Sequence, residues 1–211
     1  MRRAPKGKPS SAVLRVGLLG LGNVGSAVAQ ILKHNRTQIS HYVGAEVVIQ
    51  RVLVKHPGKK RLHDLRGLRL TREAVDILEA PDIDIVIEVM GGLEPAYDLI
   101  QRALAQHKPV VTANKAVLAK WAPALMALAY QNRTDIYFEA AVAGGVPIIR
   151  TLRQGLASDR IEAIVGILNG TTNFILSEMA TGSTYRAALK TAQSRGYAEA
   201  DPSLDVSGRD A

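Results

Sequence analysis

Three glycines near the start of the chain have a spacing that can bring a phosphate group against the backbone. Gly20, Gly22 and Gly25 follow the apolar run 16–19 and precede a helical pattern over residues 26–32. This spacing fits a dinucleotide-binding turn: the first glycine makes the tight turn, the second admits the pyrophosphate, and the third lets the helix pack on the strand. The helix N-terminus would attract the phosphates through its unpaired N–H groups. An ordinary tight strand-to-helix turn is the alternative.

A basic stretch follows the second predicted strand, residues 45–54. In a dinucleotide fold, an acid here binds the ribose 2′-hydroxyl of NAD, whereas a basic group accommodates the 2′-phosphate of NADP. Lys55 begins a loop, residues 55–61, that carries four Lys or Arg side chains and no carboxylate. The loop therefore favours NADP over NAD, with a solvated basic loop as the alternative.

The other groups that could do chemistry also follow predicted strands. Further strands are predicted at residues 83–90, 109–112 and 135–140. Helices are predicted between them, beginning at Thr71, Glu94 and about Val117. This alternation predicts an α/β fold with a Rossmann-type doubly wound parallel sheet, in which ligands collect at the carboxyl ends of the strands. The candidates at those ends are residues 20–25, Lys55, residues 91–92, Asn114, Lys115 and Glu139.

The pattern changes after residue 140. A glycine-rich loop at residues 143–147 is followed by a predicted helix at 148–156 and a predicted strand at 161–168. Two more helices are predicted, one ending near Met179 and one at residues 185–195. We divide the chain into a basic disordered tail (1–11), a Rossmann domain (12–145) and an incomplete second α+β domain (146–211).

Composition argues against several classes of protein. The 211 residues are 47% hydrophobic and contain no cysteine, which excludes disulfides and cysteine chemistry. The apolar runs are too short to span a bilayer and no signal peptide is visible, so we expect a cytoplasmic protein with no membrane partner. The formal charge of +8 invites nucleic-acid binding, but aromatics are scarce and motifs are absent, so we expect no nucleic-acid partner.

Several short sequence motifs follow one another along the chain in a characteristic order. The most specific are the Asn-Gly-Thr-Thr-Asn block at residues 169–173 and the acidic segment from Gly196 to Asp210. The other blocks are residues 20–25, 88–92, 111–115, 139–147 and 166–176. Together they make the chain resemble the homoserine dehydrogenase family.

The resemblance implies interconversion of L-homoserine and L-aspartate 4-semialdehyde with NADP or NAD, a step toward threonine, methionine and isoleucine. It also implies a homodimer in the full-length family. The cofactor site would comprise Gly20, Leu21, Gly22, Asn23, Val24, Gly25, Gly91 and Lys115. The substrate would be held by Glu199, Asp205 and Asp210. A sodium ion would be bound by the side chain of Glu139 and the backbone carbonyls of Val142, Gly144 and Val146.

Lys115 and Asp210 are the candidate catalytic residues. Oxidation of an alcohol needs a hydride acceptor, which the cofactor supplies, and a group that takes the hydroxyl proton. A lysine desolvated beside other cations can take that proton. Lys115 is the lysine that both follows a predicted strand and lies in a matching block. A solvated lysine at a strand end is the alternative.

One departure from the family pattern concerns the end of the sequence. The pattern continues beyond Asp210 to a lysine that usually transfers the proton, whereas this sequence ends at Ala211. We therefore expect weak cofactor binding, impaired turnover and an exposed apolar face around residues 164–168. The alternatives are an inactive cofactor-binding fragment and another Rossmann oxidoreductase. A comparison of homoserine, semialdehyde and sugars as substrates would separate the second alternative from homoserine dehydrogenase.

Overall fold

The computed structural model describes residues 12–58, 67–166, 169–198 and 207. The chain divides into two compact units, Met1–Ile149 and Arg150–Ala211. The predicted basic tail, residues 1–11, lies outside the described residues.

The first unit is built on one six-stranded sheet. Its strands are β1 (Val13–Leu19), β2 (Glu46–Leu53), β3 (Leu70–Thr71), β4 (Ile85–Glu88), β5 (Val110–Thr112) and β6 (Ile136–Tyr137). The strand order is β3-β2-β1-β4-β5-β6, and every pair is parallel. This order is that of a doubly wound Rossmann-type sheet, so the predicted fold class is confirmed for this unit.

Helices connect the strands of this sheet. They are α1 (Asn23–His34), α2 (Arg36–Val43), α3 (Val75–Leu78), α4 (Ala96–Ala105) and α5 (Lys115–Gln131). A single 3₁₀ turn, Glu139–Ala141, follows β6, and the short helix α6 (Ile148–Arg150) continues into a π-helical turn, Thr151–Gly155. None of the described helices is both long and apolar enough to cross a membrane.

The sheet buries both of its faces. Leu18 and Leu19 are adjacent in β1, and since successive strand residues point to opposite faces, they belong to different apolar clusters. Leu19 packs in the cluster that contains Leu104 of α4, whereas Leu18 packs in the cluster that contains Ala29 of α1. Burying each leucine contributes about 2 kcal/mol. The near-continuous apolar runs of the central strands follow from this two-sided burial.

The structure corrects the predicted helix start at Thr71. Leu70 and Thr71 form the edge strand β3, which pairs with Val52 and Leu53 of β2. The Thr71 hydroxyl then accepts a hydrogen bond from the backbone N–H of Glu73 at 3.0 Å, which turns the chain before α3 begins at Val75. The local pattern of a helix cap is real, but pairing with β2 places Thr71 in the sheet.

The regular secondary structure in the described part of the second unit is helical. It contains α7 (Gly170–Ala180) and α8 (Tyr185–Ser194), close to the predicted helices. The side chain of Asn169 caps α7 and that of Thr184 caps α8. Ile175 and Ala188 lie in the small apolar cluster between the two helices.

The predicted strand at 161–168 is wrong over residues 161–166, which have no regular structure; residues 167–168 lie outside the described part. Ile164 is 62% exposed and Val165 is 95% exposed. A strand needs a neighbour for its backbone hydrogen bonds. The described residues of the second unit contain no other strand that could serve as that neighbour.

Candidate functional site

Five segments that sequence analysis singled out meet at one edge of the sheet. Because the strands are parallel, all their carboxyl ends face the same way. The segments are the turn after β1, Lys55 after β2, the glycine pair after β4, Asn114 and Lys115 after β5, and Glu139 after β6. The structure therefore collects these segments along the edge where α/β sheets bind ligands.

The three glycines of the first turn have different surroundings. Gly20 has φ of +101°, and a Cβ added to it would lie 3.0 Å from the carbonyl oxygen of Val89. A Cβ on Gly25 would overlap the carbonyl oxygen of Gly20. A Cβ on Gly22, in contrast, would meet no atom within 4 Å. Gly20 and Gly25 are thus required by the turn and by close packing, whereas Gly22 keeps a space open in front of the helix.

The N-terminus of α1 presents backbone donors to that space. Its first intrahelical hydrogen bond runs from the N–H of Ser26 to the carbonyl of Gly22 at 2.9 Å. The preceding N–H groups have no acceptor within the helix. No side chain caps this end, and its first turn carries no acid. The N-terminus can therefore attract an anion such as a phosphate.

The glycine pair after β4 adopts the left-handed backbone conformation. Gly91 and Gly92 both have φ of +74°, a conformation that glycine adopts without steric cost. The backbone N–H of Met90 donates to Oε1 of Glu88 at 2.8 Å, which fixes the start of the loop. The carbonyl of Gly92 accepts from Nδ2 of Asn114 at 2.8 Å, which fixes its end.

Glu88 and Thr112 were given no role by the sequence analysis, although both lie in matching blocks. They are fully buried and adjacent in register on β4 and β5. The Thr112 hydroxyl donates to Oε2 of Glu88 at 2.6 Å. The signal in the sequence that could have indicated Glu88 was a carboxylate at the end of an apolar strand, shortly before two glycines. Its partner on β5 becomes visible only once the strands are paired.

The two candidate lysines are both exposed in the structure. Lys55 lies two residues after β2, at the edge of the sheet beside the glycine turn. Lys115 is the first residue of α5, which Asn114 caps by accepting from the N–H of Val117 at 3.2 Å. Lys115 is exposed to solvent, whereas the hypothesis from the sequence assumed a desolvated lysine at this position.

Glu139 lies in the 3₁₀ turn after β6 rather than in the strand. Its Oε1 accepts from the backbone N–H of Ile149 at 2.9 Å, which closes a loop over residues 139–149. Ala143 in this loop has φ of +44° and its carbonyl accepts from the N–H of Val146 at 2.8 Å. The described residues contain no cluster of three or more His, Asp or Glu side chains. A cation here would therefore depend on backbone carbonyls.

The candidate substrate residues cannot be placed. Glu199, Asp205 and Asp210 lie outside the described residues. Their roles stay predictions from the resemblance.

A second polar cluster lies at the amino ends of β4 and β5, away from this edge. Arg51 donates two hydrogen bonds to Asp82, at 2.6 and 3.0 Å, and holds the pKa of that carboxyl to about 2. Lys108 donates to the carbonyls of Ala80 and Ile83, and burial lowers the pKa of its ammonium group. These bonds tie the loops before the two strands together, so the cluster is structural.

The strand order, the glycine turn and the open helix N-terminus define a dinucleotide-binding α/β protein. Residues 20–139 match the family model of the homoserine dehydrogenase NAD-binding domain, and residues 147–211 match the homoserine dehydrogenase model. The chain belongs to the homoserine dehydrogenase family.

Individual relatives agree with the family assignment. Homoserine dehydrogenase of Bacillus subtilis is 52% identical over 199 residues, which are 94% of this chain and 46% of that protein. The crystal structure of a Thiobacillus denitrificans homoserine dehydrogenase has a TM-score of 0.86 at 45% identity, covering 96% of this chain and 47% of the other. A hyperthermophilic archaeal homoserine dehydrogenase in complex with NADPH has a TM-score of 0.78 at 28% identity, covering 94% and 66%. The chain thus spans about half the length of the first two relatives.

Proposed function

We propose that this chain takes part in the NAD(P)-dependent interconversion of L-homoserine and L-aspartate 4-semialdehyde. The proposal rests on the family match over both units and on the sheet edge in the first unit. The observation that carries it is the contrast among the three glycines. Two are needed for packing, and Gly22 leaves an open space in front of donor N–H groups.

The residues of this edge fit a dinucleotide. A Cβ at Gly22 would meet no atom within 4 Å, so a phosphate could approach the backbone there, and the uncapped end of α1 would supply N–H donors for it. Lys55 would attract the additional phosphate of NADP, which supports NADP over NAD. When bound, the nicotinamide would accept a hydride from the alcohol carbon or return it to the aldehyde. Gly91 and its loop would support the nicotinamide half of the site.

Lys115 and Asp210 remain the proposed catalytic residues. Lys115 would take the hydroxyl proton while the hydride leaves the same alcohol, so that the alcohol becomes an aldehyde. The carboxylates of Glu199, Asp205 and Asp210 would hold the ammonium group of homoserine through charge-assisted hydrogen bonds.

A sodium ion at the loop over residues 139–149 belongs to the same proposal. Sodium is a hard cation and favours oxygen ligands, which Glu139 and the carbonyls of Val142, Gly144 and Val146 provide. No described residue donates a hydrogen bond to the carbonyl of Val142 or Gly144, so both oxygens can serve as ligands. A homodimer formed by the second domain, which the family resemblance implies, and the cytoplasmic location expected from the sequence composition complete the proposal.

The activity test is homoserine-dependent reduction of NADP and of NAD by the purified chain, followed at the nicotinamide absorbance. We expect slow reduction that needs L-homoserine, is faster with NADP, and is lost in Gly22→Ala. If sugars or other alcohols are oxidised and homoserine is not, the chain is another Rossmann oxidoreductase. If the chain binds NADPH without oxidising any of these substrates, it is a cofactor-binding module.

A further inference from the structure

A buried acid lies at the carboxyl-terminal edge of the sheet, where the nucleotide would bind. Glu88 ends β4 and has 0% relative exposure. Among the described residues, no Lys, Arg or His forms an ion pair with it. A buried carboxylate without a countercharge is costly unless hydrogen-bond donors satisfy its oxygens. The donors around Glu88 therefore show what this carboxylate holds in place.

Both oxygens of Glu88 accept hydrogen bonds from the ends of two different strands. Oε1 accepts from the backbone N–H of Met90 at 2.8 Å, just before the glycine pair. Oε2 accepts from the hydroxyl of Thr112 at 2.6 Å, at the end of β5. The Thr112 oxygen in turn accepts from the backbone N–H of Asn114 at 3.0 Å. Every donor in this chain of bonds points toward the carboxylate.

Asn114 extends the network back to the glycine loop. Its Nδ2 donates to the carbonyl of Gly92 at 2.8 Å, and its Oδ1 caps α5 through the N–H of Val117 at 3.2 Å. Asn114 is 5% exposed, and Thr112 is fully buried. The loop after β4 is thus held at both ends, by Glu88 at Met90 and by Asn114 at Gly92. The same network fixes the start of α5, where Lys115 lies.

We propose that Glu88 is a positioning residue for the nicotinamide nucleotide, acting through Thr112 and Asn114 on the two loops that would contact it. The inference rests on the proposed function, because it needs a nucleotide at this edge. An apolar residue would complete β4 at lower cost, whereas a fully satisfied buried network selects one loop geometry. Glu88 itself does not contact the nucleotide. It fixes the position of Gly91 relative to Lys115.

Two isosteric substitutions test this network. Glu88→Gln replaces one acceptor oxygen with a donor amide, so either Met90 N–H or the Thr112 hydroxyl loses its acceptor. Thr112→Val removes the hydroxyl while keeping the shape of the side chain. Thr112→Ser restores a hydroxyl and serves as the rescue. Lys108→Met is the matched control, because Lys108 is buried and hydrogen-bonded but lies at the opposite ends of the strands.

The measurement is the Kd for NADPH, followed through energy transfer from Trp121, the one tryptophan of the sequence, which lies on α5. Urea unfolding of each variant gives the loss of stability for comparison. We expect Glu88→Gln and Thr112→Val to weaken NADPH binding about tenfold or more, the effect of leaving one buried polar group unpaired. Thr112→Ser should recover most of this loss, and Lys108→Met should lose stability without a change in Kd. If Glu88→Gln does not fold, the Thr112 pair decides.

Each contrary result has a distinct meaning. If Glu88→Gln and Thr112→Val bind NADPH as the unsubstituted chain does, Glu88 only stabilises the fold and the inference is overturned. If Lys108→Met weakens NADPH binding as much as they do, the effect is general destabilisation, and the inference is again overturned. If the unsubstituted chain binds neither NADPH nor NADH, both the inference and the proposed function fail.

Discussion

Gly25 lies directly against the carbonyl oxygen of Gly20, so closely that a Cβ on Gly25 would overlap that oxygen. This contact brings the first turn of α1 onto the end of β1. The direction of the helix N-terminus, and with it the proposed phosphate site, depends on the contact. A requirement for glycine at position 25 therefore comes from packing and not from ligand binding.

Gly25→Ala should destabilise the first unit. The added methyl group forces α1 away from β1, and overpacking of this kind costs about 1–3 kcal/mol. Urea unfolding followed by Trp121 emission measures the change. Gly155→Ala is the matched control, because its Cβ would meet only Thr151, at 3.9 Å. Equal stability of Gly25→Ala and the unsubstituted chain would contradict the packing argument.

Lys55→Glu should change the preference between the two cofactors. A carboxylate after β2 repels the 2′-phosphate of NADP and can accept from the 2′-hydroxyl of NAD. We expect NADPH affinity to fall about tenfold while NADH affinity is kept or improved, with a smaller effect at high salt. Lys190→Glu, an exposed charge reversal on α8, is the control. Equal losses for both cofactors would exclude Lys55 as the residue that discriminates between them.

Asp82 should make stability depend on pH in a defined window. Arg51 and Gln50 donate to its carboxylate, and the pKa of Asp82 falls from 3.8 to about 2. A lowered pKa stabilises the fold above pH 3.8, and this contribution is lost as pH falls through 2. Because the Asp82 side chain is 37% exposed, solvent screening limits the effect to about 1 kcal/mol.

Asp82→Asn removes this contribution. The difference in free energy of unfolding between the unsubstituted chain and Asp82→Asn should be constant above pH 4 and shrink toward pH 2, as measured by urea titration. Asp98→Asn, which alters an exposed i,i+4 pair with Arg102, is the control. A difference that does not change between pH 4 and pH 2 would show that the Arg51 pair does not hold Asp82 ionised.

Glu139→Gln should separate the structural role of this side chain from cation binding. The amide oxygen can still accept from the N–H of Ile149, so the loop over residues 139–149 should stay closed. Loss of the negative charge should abolish the extra thermal stability that sodium gives over choline at equal ionic strength. Equal stability of the unsubstituted chain in the two salts would argue against a sodium site.

The parts of the fold that are encoded locally were predictable from sequence. The turn after β1 is one example, because the spacing of Gly20, Gly22 and Gly25 reports directly on a backbone conformation. The central strands are another, since burial on both faces leaves uninterrupted apolar runs. The alternation of strands and helices was enough to predict that the candidate groups lie along one edge of the sheet.

Features that depend on distant partners were not predictable. Thr71 has the local pattern of a helix cap, yet pairing of β3 with β2 places it in the sheet. Residues 161–166 have strand propensity, but the described residues of the second unit contain no other strand with which they could pair. Glu88 was visible as an acid within an apolar run, but its role depends on Thr112, which lies 24 residues later in the chain.

The most direct test of the account is calorimetric titration of the chain and of Gly22→Ala with NADPH. A Cβ at position 22 meets no protein atom within 4 Å, so Gly22→Ala should fold, losing at most the roughly 1 kcal/mol that alanine costs at a helix N-cap. The added methyl group would nevertheless occupy the space in which the pyrophosphate approaches the backbone. We predict that the unsubstituted chain binds NADPH and that Gly22→Ala loses at least about tenfold in affinity. Equal binding of NADPH by the two proteins would contradict the assignment of this turn as the nucleotide site.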